Sequence, residues 1–255
     1  MRVALVGMML IGCGGAQRPA SAKPCLDELA VRPLPLTGPA ATAEAELSGL
    51  AWWGDTLVLL PQYPAGFNGG ALFTLPAAAL DGETLEPEAL PFEDRGLAAQ
   101  VEGFEGFEAI AIDGDRFWLT VELGPDHAGD GYVVEGTLSA EGALLDLTRL
   151  ERLPLPHTLP NKGLEGALPW QDGVLVFYEA NESPSYAWWV GPHGQRRKIS
   201  MPELAFRLTD ATEPDAQGRV WVSNYHWPGQ ERRRPDCALI DRYGIGCSQQ
   251  QSREV

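Results

Sequence analysis

Acidic residues recur at one position of a repeated sequence pattern, and carboxylates placed in this way can bind a metal ion. In each of four segments a small or acidic residue opens a short apolar run, and a tight turn leads into a second apolar run. The opening residues follow one another at intervals of 60, 57 and 45 positions and are Ser48, Glu108, Glu165 and Asp210. Carboxylates brought together by such a repeat would repel one another unless a cation or bound protons neutralised them.

We therefore predict that Glu108, Glu165 and Asp210 are metal ligands. Oxygen ligands of this kind favour Ca²⁺, which is the predicted cofactor. In an alternative interpretation, the three acids cap their strands by accepting hydrogen bonds from backbone N–H groups. Polar residues near the ends of equivalent strands are predicted neighbours of the site: Glu105, Glu122, Glu179, Asn181, Asn224 and His226.

Sequence motifs that would identify a catalytic mechanism are absent. The chain contains no G-x-S-x-G, H-E-x-x-H, P-loop or G-x-G-x-x-G sequence. Its four histidines are scattered, and none has a partner at the spacing of a zinc site. The catalytic residues of any reaction at the acidic site therefore stay unassigned.

The predicted acids would be positioned by β-hairpins. In each repeat a short turn separates two apolar runs, as at Gly54-Asp55, Asp113-Gly114-Asp115 and Asp172-Gly173. Glycine tolerates the positive φ that a tight hairpin turn requires, and propeller blades of four strands repeat roughly every 40 to 50 residues. We predict an all-β chain that forms a β-propeller of about five to six four-stranded blades, with room for an incomplete last blade. An ordinary β-sandwich with several hairpins is the alternative fold.

The N-terminus has the pattern of an export signal. An apolar run follows Arg2 and ends in Leu10-Ile11-Gly12-Cys13, which resembles the lipobox of bacterial lipoproteins. The run is typical of a secretory signal peptide and is too short to span a bilayer as a helix. Only the lipid would enter a membrane, which we expect to be the outer membrane, with the protein facing the periplasm or the exterior. We predict a lipoprotein signal peptide at 1–12, a lipidated Cys13 and flexible tether at 13–28, a propeller domain at 29–247 and a tail at 248–255.

The charge of the chain limits its partners. Asp and Glu outnumber Lys and Arg by 35 to 19, which gives a formal net charge of −16. Because phosphate neutralisation dominates nucleic-acid binding, a nucleic acid is not an expected partner. We expect a monomer whose ligand is a small molecule or a component of the envelope. Export permits a disulfide, but the sequence does not choose a pair among Cys25, Cys237 and Cys247.

Three segments resemble the repeats of bacterial β-propellers called phytase-like or esterase-like. They are Glu105–Ile112, Asn161–Leu168 and Leu208–Tyr225, and the resemblance extends from Leu47 to Tyr243. The pattern is more distantly similar to calcium-dependent propellers of the gluconolactonase and paraoxonase type, in which acids and amides at the starts of inner strands hold a metal. Phytate itself matches poorly, because it is a dense polyanion and this chain is strongly anionic.

Two functions are compatible with these observations. The first hypothesis is an envelope-anchored, calcium-dependent hydrolase that cleaves an ester, a lactone or a phosphoester at the mouth of the channel. The repeated acids and the family resemblance favour it. The second hypothesis is a non-catalytic binding or scaffold lipoprotein with at most a structural metal, and the lack of an identifiable nucleophile favours this alternative.

Replacing Cys13 with Ser tests the predicted anchor. The acyl chains would be carried by this cysteine, so Cys13→Ser should abolish incorporation of labelled fatty acid. The variant should also leave the membrane fraction or remain unprocessed. Cys25→Ser is the control and should keep the label. An unchanged acyl label in Cys13→Ser would show that the lipoprotein prediction is wrong.

Overall fold

The structure is a computed structural model that describes residues 32–67, 69–159, 162–180, 185–201 and 207–225, with only the backbone of Asn224 and Tyr225. Several predicted features lie outside these ranges and stay predictions. They are the signal peptide, the tether, the tail, the side chain of Asn224, and the residues Cys13, Cys25, Asn181, His226, Cys237 and Cys247.

Strands form most of the described chain. In chain order they are β1 (Leu47–Trp53), β2 (Thr56–Pro61), β3 (Ala71–Pro76), β4 (Glu88–Glu93), β5 (Phe104–Asp113), β6 (Arg116–Leu123), β7 (Asp130–Ser139), β8 (Gly142–Pro154), β9 (Leu164–Trp170), β10 (Gly173–Tyr178), β11 (Tyr186–Val190), β12 (Arg196–Ser200), β13 (Arg207–Ala211) and β14 (Val222–Tyr225). The described helices are one α-helix, α1 (Leu97–Gln100), and 3-10 helices at Pro39–Ala41, Ala43–Ala45, Ala77–Asp81, Pro125–His127 and Pro192–Gly194. Within these ranges, no helix has the length and apolar character needed to cross a bilayer.

Consecutive strands pair antiparallel and form four-stranded blades. Blade 1 is β1–β4, blade 2 is β5–β8 and blade 3 is β9–β12, while β13 and β14 form two strands of blade 4. A short parallel pairing of β4 with β8 joins the outer strands of the first two blades into one eight-stranded sheet. The first strands β1, β5, β9 and β13 lie side by side in that order.

This topology is that of a β-propeller, in which up-and-down sheets are arranged around their innermost strands. The predicted all-β propeller is therefore confirmed, and the β-sandwich alternative is set aside. The described residues contain three complete blades and two strands of a fourth. The predicted number of five to six blades is not confirmed.

The hairpin turns explain how the first two strands of each blade meet. Two-residue turns lie between Trp53 and Thr56, between Asp113 and Arg116, and between Trp170 and Gly173. Their first residues have positive φ: 58° at Gly54, 64° at Gly114 and 60° at Gln171. In blade 3 the turn is thus Gln171-Asp172, one residue earlier than predicted. Gly173 belongs to β10, where a Cβ atom would lie 2.1 Å from the carbonyl oxygen of Val190.

Apolar side chains between neighbouring blades form the core. On β6, Leu119 packs with blade 1, whereas Trp118 packs with blade 3, because successive side chains of a strand point to opposite faces. A third apolar layer lies between Phe177 of blade 3 and Leu208 of blade 4. Both faces of blades 2 and 3 are covered, which explains why their strands are continuous apolar runs.

Truncation of a residue between two blades tests this packing. Leu119 is fully buried, so Leu119→Ala should lower the free energy of unfolding by about 2–5 kcal/mol through lost burial and a cavity. Leu50 on β1 is 50% exposed, and Leu50→Ala should cost less than about 1 kcal/mol. Urea denaturation of the two variants gives the comparison. Equal losses would contradict the assigned blade packing.

Candidate functional site

The strand register defines an equivalent position near the start of each first strand. In β1, β9 and β13 a β-bulge leaves one residue without a partner on the second strand, and these residues are Ser48, Glu165 and Thr209. In β5 the corresponding irregularity includes Glu108. The extra residue of a bulge leaves the ladder and its side chain is aimed in a new direction. The bulges therefore explain why Glu108 and Glu165 point into a common site.

Asp210 does not occupy this position, contrary to the sequence-based alignment of the repeats. Asp210 pairs with Ser223, and the bulged residue is Thr209, one position earlier. A shift of one residue turns a side chain to the other face of a strand. The carboxylate of Asp210 accepts a hydrogen bond from the N–H of Ala211 at 2.7 Å. Burial raises the pKa of Asp210, but Asp210 is not a member of the acidic group described below.

A second equivalent position lies at the end of each second strand. The second strand of each hairpin begins at the residue that closes the turn, which is Thr56, Arg116 or Gly173. Counted from that residue, the same number of positions leads to Gln62, Glu122 and Glu179. Gln62 comes directly after β2, Glu122 lies near the end of β6, and Glu179 comes directly after β10. Blades 2 and 3 thus supply a carboxylate from both positions, whereas blade 1 supplies the uncharged Ser48 and Gln62.

Glu108, Glu122 and Glu165 form the acidic cluster. One oxygen from each of the three carboxylates lies within 4.8 Å of the other two. Glu122 is buried, and Glu108 and Glu165 are half-buried. The side-chain amide of Gln62 donates a hydrogen bond to Oε1 of Glu108 at 2.8 Å. The structure thus brings together two of the three predicted ligands, with Glu122 as the third member.

Burial and mutual repulsion strongly perturb the acidic cluster. Burial, followed by the charges of Glu165 and Glu122, raises the pKa of Glu108 to about 9. Burial, followed by the charges of Glu179 and Glu122, raises the pKa of Glu165 to about 8. Burial also raises the pKa of Glu122, although its hydrogen bond with Glu108 acts in the opposite direction. A hydrogen bond between these two carboxyl groups requires that one of them is protonated.

Two basic residues pair with the neighbouring Glu179. Nζ of Lys162 lies 3.2 Å from Oε2 of Glu179, and a guanidinium nitrogen of Arg207 lies 2.7 Å from Oε1. The side chains of Lys162 and Arg207 are only 12% and 16% exposed. Within the described chain, Oε2 of Glu105 is buried without a hydrogen-bond partner. The charges of Glu105 and Glu179 both raise the pKa of Glu122, so these two predicted neighbours lie near the acidic cluster.

Two glycines allow the close approach of the polar side chains. Gly106 has φ of 131°, and a Cβ atom there would lie 2.5 Å from Cγ of Gln62. A Cβ atom at Gly163 would lie 3.3 Å from Cγ of Glu122. Gln62, Lys162 and Arg207 were not predicted from the sequence. When the second strands of the repeats are aligned as well as the first strands, Gln62 falls at the position equivalent to Glu122.

The donor set fits a hard divalent cation. Three carboxylates within 4.8 Å of one another offer only oxygen ligands, and Ca²⁺ is bound by such oxygens at roughly 2.3–2.6 Å. A cation at this point would offset both the repulsion among the acids and the cost of burying them. The same group can instead remain neutral by holding protons, as its raised pKa values indicate.

Comparisons with known proteins do not assign a family. No family model and no curated protein matches the chain. The glutaminyl cyclase of Myxococcus xanthus is 14% identical with a TM-score of 0.40, covering 72% of this chain and 63% of that one. An inactive virginiamycin B lyase from Staphylococcus aureus, solved with quinupristin, is 11% identical with a TM-score of 0.38 and coverages of 72% and 50%. AztD from Citrobacter koseri is 12% identical with a TM-score of 0.36 and coverages of 69% and 52%.

The chain spans 50 to 63% of the length of these three proteins. At such TM-scores and identities, the likeness carries no argument about activity or ligands. The assignment of the propeller fold depends on the strand topology of the chain itself, and the site must be interpreted from its own residues.

The raised pKa values predict how stability depends on pH. A carboxyl with a higher pKa in the folded state contributes stability below its unfolded pKa, and this contribution is lost as the pH rises toward the folded pKa. Glu108 is raised from 4.5 to about 9 and Glu165 from 4.5 to about 8. In a chelating buffer, the free energy of unfolding should therefore fall as the pH rises from about 5 to about 8.

Glu108→Gln should make this decrease smaller, because one raised carboxyl is removed. Glu88→Gln on β4 is the control, since Glu88 is exposed, and it should leave the decrease unchanged. Urea denaturation over a pH series measures the effect. A parent protein whose stability is constant over this range would contradict the electrostatic description of the site.

Proposed function

We propose that this chain is a β-propeller hydrolase of the cell envelope that binds Ca²⁺ through Glu108, Glu122 and Glu165. The observation that carries the proposal is the mutual approach of these carboxylates to within 4.8 Å at a place where burial raises all three pKa values. Relative to the prediction from sequence, Glu122 takes the place of Asp210. The proposed reaction is hydrolysis of an ester, a lactone or a phosphoester.

The surrounding charges favour a cation at the acidic cluster over one at Glu179. Lys162 and Arg207 form salt bridges with Glu179. Among the described residues, no Lys or Arg forms a salt bridge with a member of the acidic cluster. The two basic residues act on Glu165 only at longer range, where they lower its pKa and offset part of the increase. No basic side chain of the described chain therefore neutralises the acidic cluster by direct pairing, and a bound cation could do so.

The chain's own residues would have separate tasks in the reaction. A Ca²⁺ held by Glu108, Glu122 and Glu165 would supply Lewis-acid polarisation of a substrate oxygen. Gln62 holds Glu108 in place through the 2.8 Å hydrogen bond from its amide. Glu105, whose buried Oε2 has no partner in the described chain, is the carboxylate we propose to accept a proton from the attacking water.

Further features of the protein are part of this proposal. Membership of the phytase-like or esterase-like group is supported by the segments that resemble its repeats. The lipid anchor at Cys13 and the outer-membrane location are supported by the N-terminal pattern. A monomeric state is expected, and the pairing among Cys25, Cys237 and Cys247 is left open.

Thermal denaturation with and without Ca²⁺ tests the metal site. A ligand that binds only the native state stabilises it by mass action, by about 2.7 kcal/mol at 100 times the Kd. Ca²⁺ should therefore raise the Tm of the parent. Glu165→Gln keeps the side-chain size but removes one charge, so it should reduce this increase. Glu86→Gln is the control, because Glu86 is exposed and lies outside the strands. Its Tm should respond to Ca²⁺ as that of the parent does.

The reaction is tested with an ester, a lactone and a phosphoester, each assayed with Ca²⁺ and with a chelator. Turnover that requires Ca²⁺ and is lost in Glu108→Gln supports the hydrolase. Calcium binding without turnover of any substrate would instead favour the non-catalytic binding or scaffold protein. A Tm that Ca²⁺ leaves unchanged would contradict the proposed metal site.

A further inference from the structure

We infer that Thr120 is a positioning residue of the proposed metal site, whose hydroxyl holds the bulge that aims Glu108 at the acidic cluster. The inference rests on the proposed function, since it concerns the same calcium site. Thr120 is fully buried, and among the described residues it is the only buried side chain that is polar and uncharged. A buried hydroxyl costs free energy unless a hydrogen bond compensates for its lost hydration.

Packing of the core does not require a hydroxyl at this position. Counted from the residue that closes each hairpin turn, the residues equivalent to Thr120 are Leu60 in blade 1 and Phe177 in blade 3. Both are apolar and buried, with exposures of 0% and 4%. The property that distinguishes Thr120 from its equivalents is therefore the hydrogen bond that its oxygen makes.

The Thr120 oxygen bonds to the backbone of the bulge in β5. In blade 1 the residue after the bulge, Gly49, pairs directly with Leu60 of the second strand, and blade 3 has the same arrangement. In β5 the equivalent residue is Ala109, which has no partner in the register of β5 with β6. Its N–H donates instead to Oγ1 of Thr120 at 2.8 Å. The side chain of Thr120 thus satisfies a buried N–H where the strand pairing is interrupted.

Glu108 directly precedes Ala109 and is held from blade 1 as well. Nε2 of Gln62 donates to Oε1 of Glu108 at 2.8 Å. Oγ of Ser48 donates to the carbonyl of Phe107 at 2.7 Å. The residue before Glu108 is therefore bonded to blade 1, and the residue after it is bonded to β6. Hydrogen bonds outside the ligand shell orient the ligands of a metal site in this way.

Calorimetric titration of Ca²⁺ into the purified protein tests the positioning role. Thr120→Val keeps the branched shape but leaves the N–H of Ala109 without its acceptor, so Glu108 should shift. Loss of a partner outside the ligand shell typically weakens metal binding 10–100-fold, and the Kd for Ca²⁺ should therefore rise at least about ten-fold. Thr120→Ser keeps the hydroxyl and should bind Ca²⁺ nearly as tightly as the parent.

Leu145→Ala is the control for a general loss of stability. Leu145 is fully buried and lies on β8, the strand of blade 2 farthest from β5. Its truncation should destabilise the fold and leave the Kd of the folded protein unchanged. If Thr120 had only a structural role, Thr120→Val would give this same result. That result, or an equal rise of Kd in Thr120→Val and Thr120→Ser, would overturn the inference.

Crystal structures of the parent and both Thr120 variants, grown with a chelator, separate this inference from the proposed function. The contact between Gln62 and Glu108 should remain in the parent and in Thr120→Ser and should be lost in Thr120→Val. If this is found and Ca²⁺ does not bind the parent, Thr120 still positions Glu108 and the proposed metal site fails. If Thr120→Val keeps the contact, the inference is overturned whether or not Ca²⁺ binds.

Discussion

The repulsion among the carboxylates of Glu108, Glu122 and Glu165 is the constraint on which the rest of the site depends. One oxygen of each lies within 4.8 Å of the others, and their partial burial weakens the screening of their charges by water. Such a group needs a rigid scaffold, because carboxylates on mobile segments would move apart. Here the scaffold consists of β-bulges and strand ends fixed by apolar layers on both faces of blades 2 and 3. The stability of the core thus offsets the electrostatic cost of the site.

Charge is distributed unevenly among the first and second strands of the three complete blades. Blade 1 contributes uncharged Ser48 and Gln62, and blades 2 and 3 contribute acids at both equivalent positions. In blade 3, Glu179 is neutralised by Lys162 and Arg207. The remaining acids, Glu108, Glu122 and Glu165, are concentrated between blades 2 and 3.

Much of the fold could be predicted from the sequence, since two apolar runs around a tight turn specify a hairpin wherever they occur. Glu108 and Glu165 could be predicted as well, because each opens such a run. Asp210 could not be placed correctly, because the bulge at Thr209 shifts the register by one residue. A bulge of this kind has no signature in the amino-acid composition of the strand. Gln62 was missed for a different reason. Its importance lies in a contact with Glu108 across two blades, which a pattern within one repeat does not contain.

Calorimetric titration of Ca²⁺ into the purified protein at neutral pH, in two buffers of different ionisation enthalpy, tests the central claim most directly. Glu108 and Glu165 hold protons at neutral pH when no metal is bound, because their pKa values are about 9 and about 8. Metal binding requires deprotonated ligands. We therefore expect saturable binding whose apparent enthalpy differs between the buffers by the heat of at least about one proton released per Ca²⁺. Absence of binding, or binding with the same enthalpy in both buffers, would contradict it.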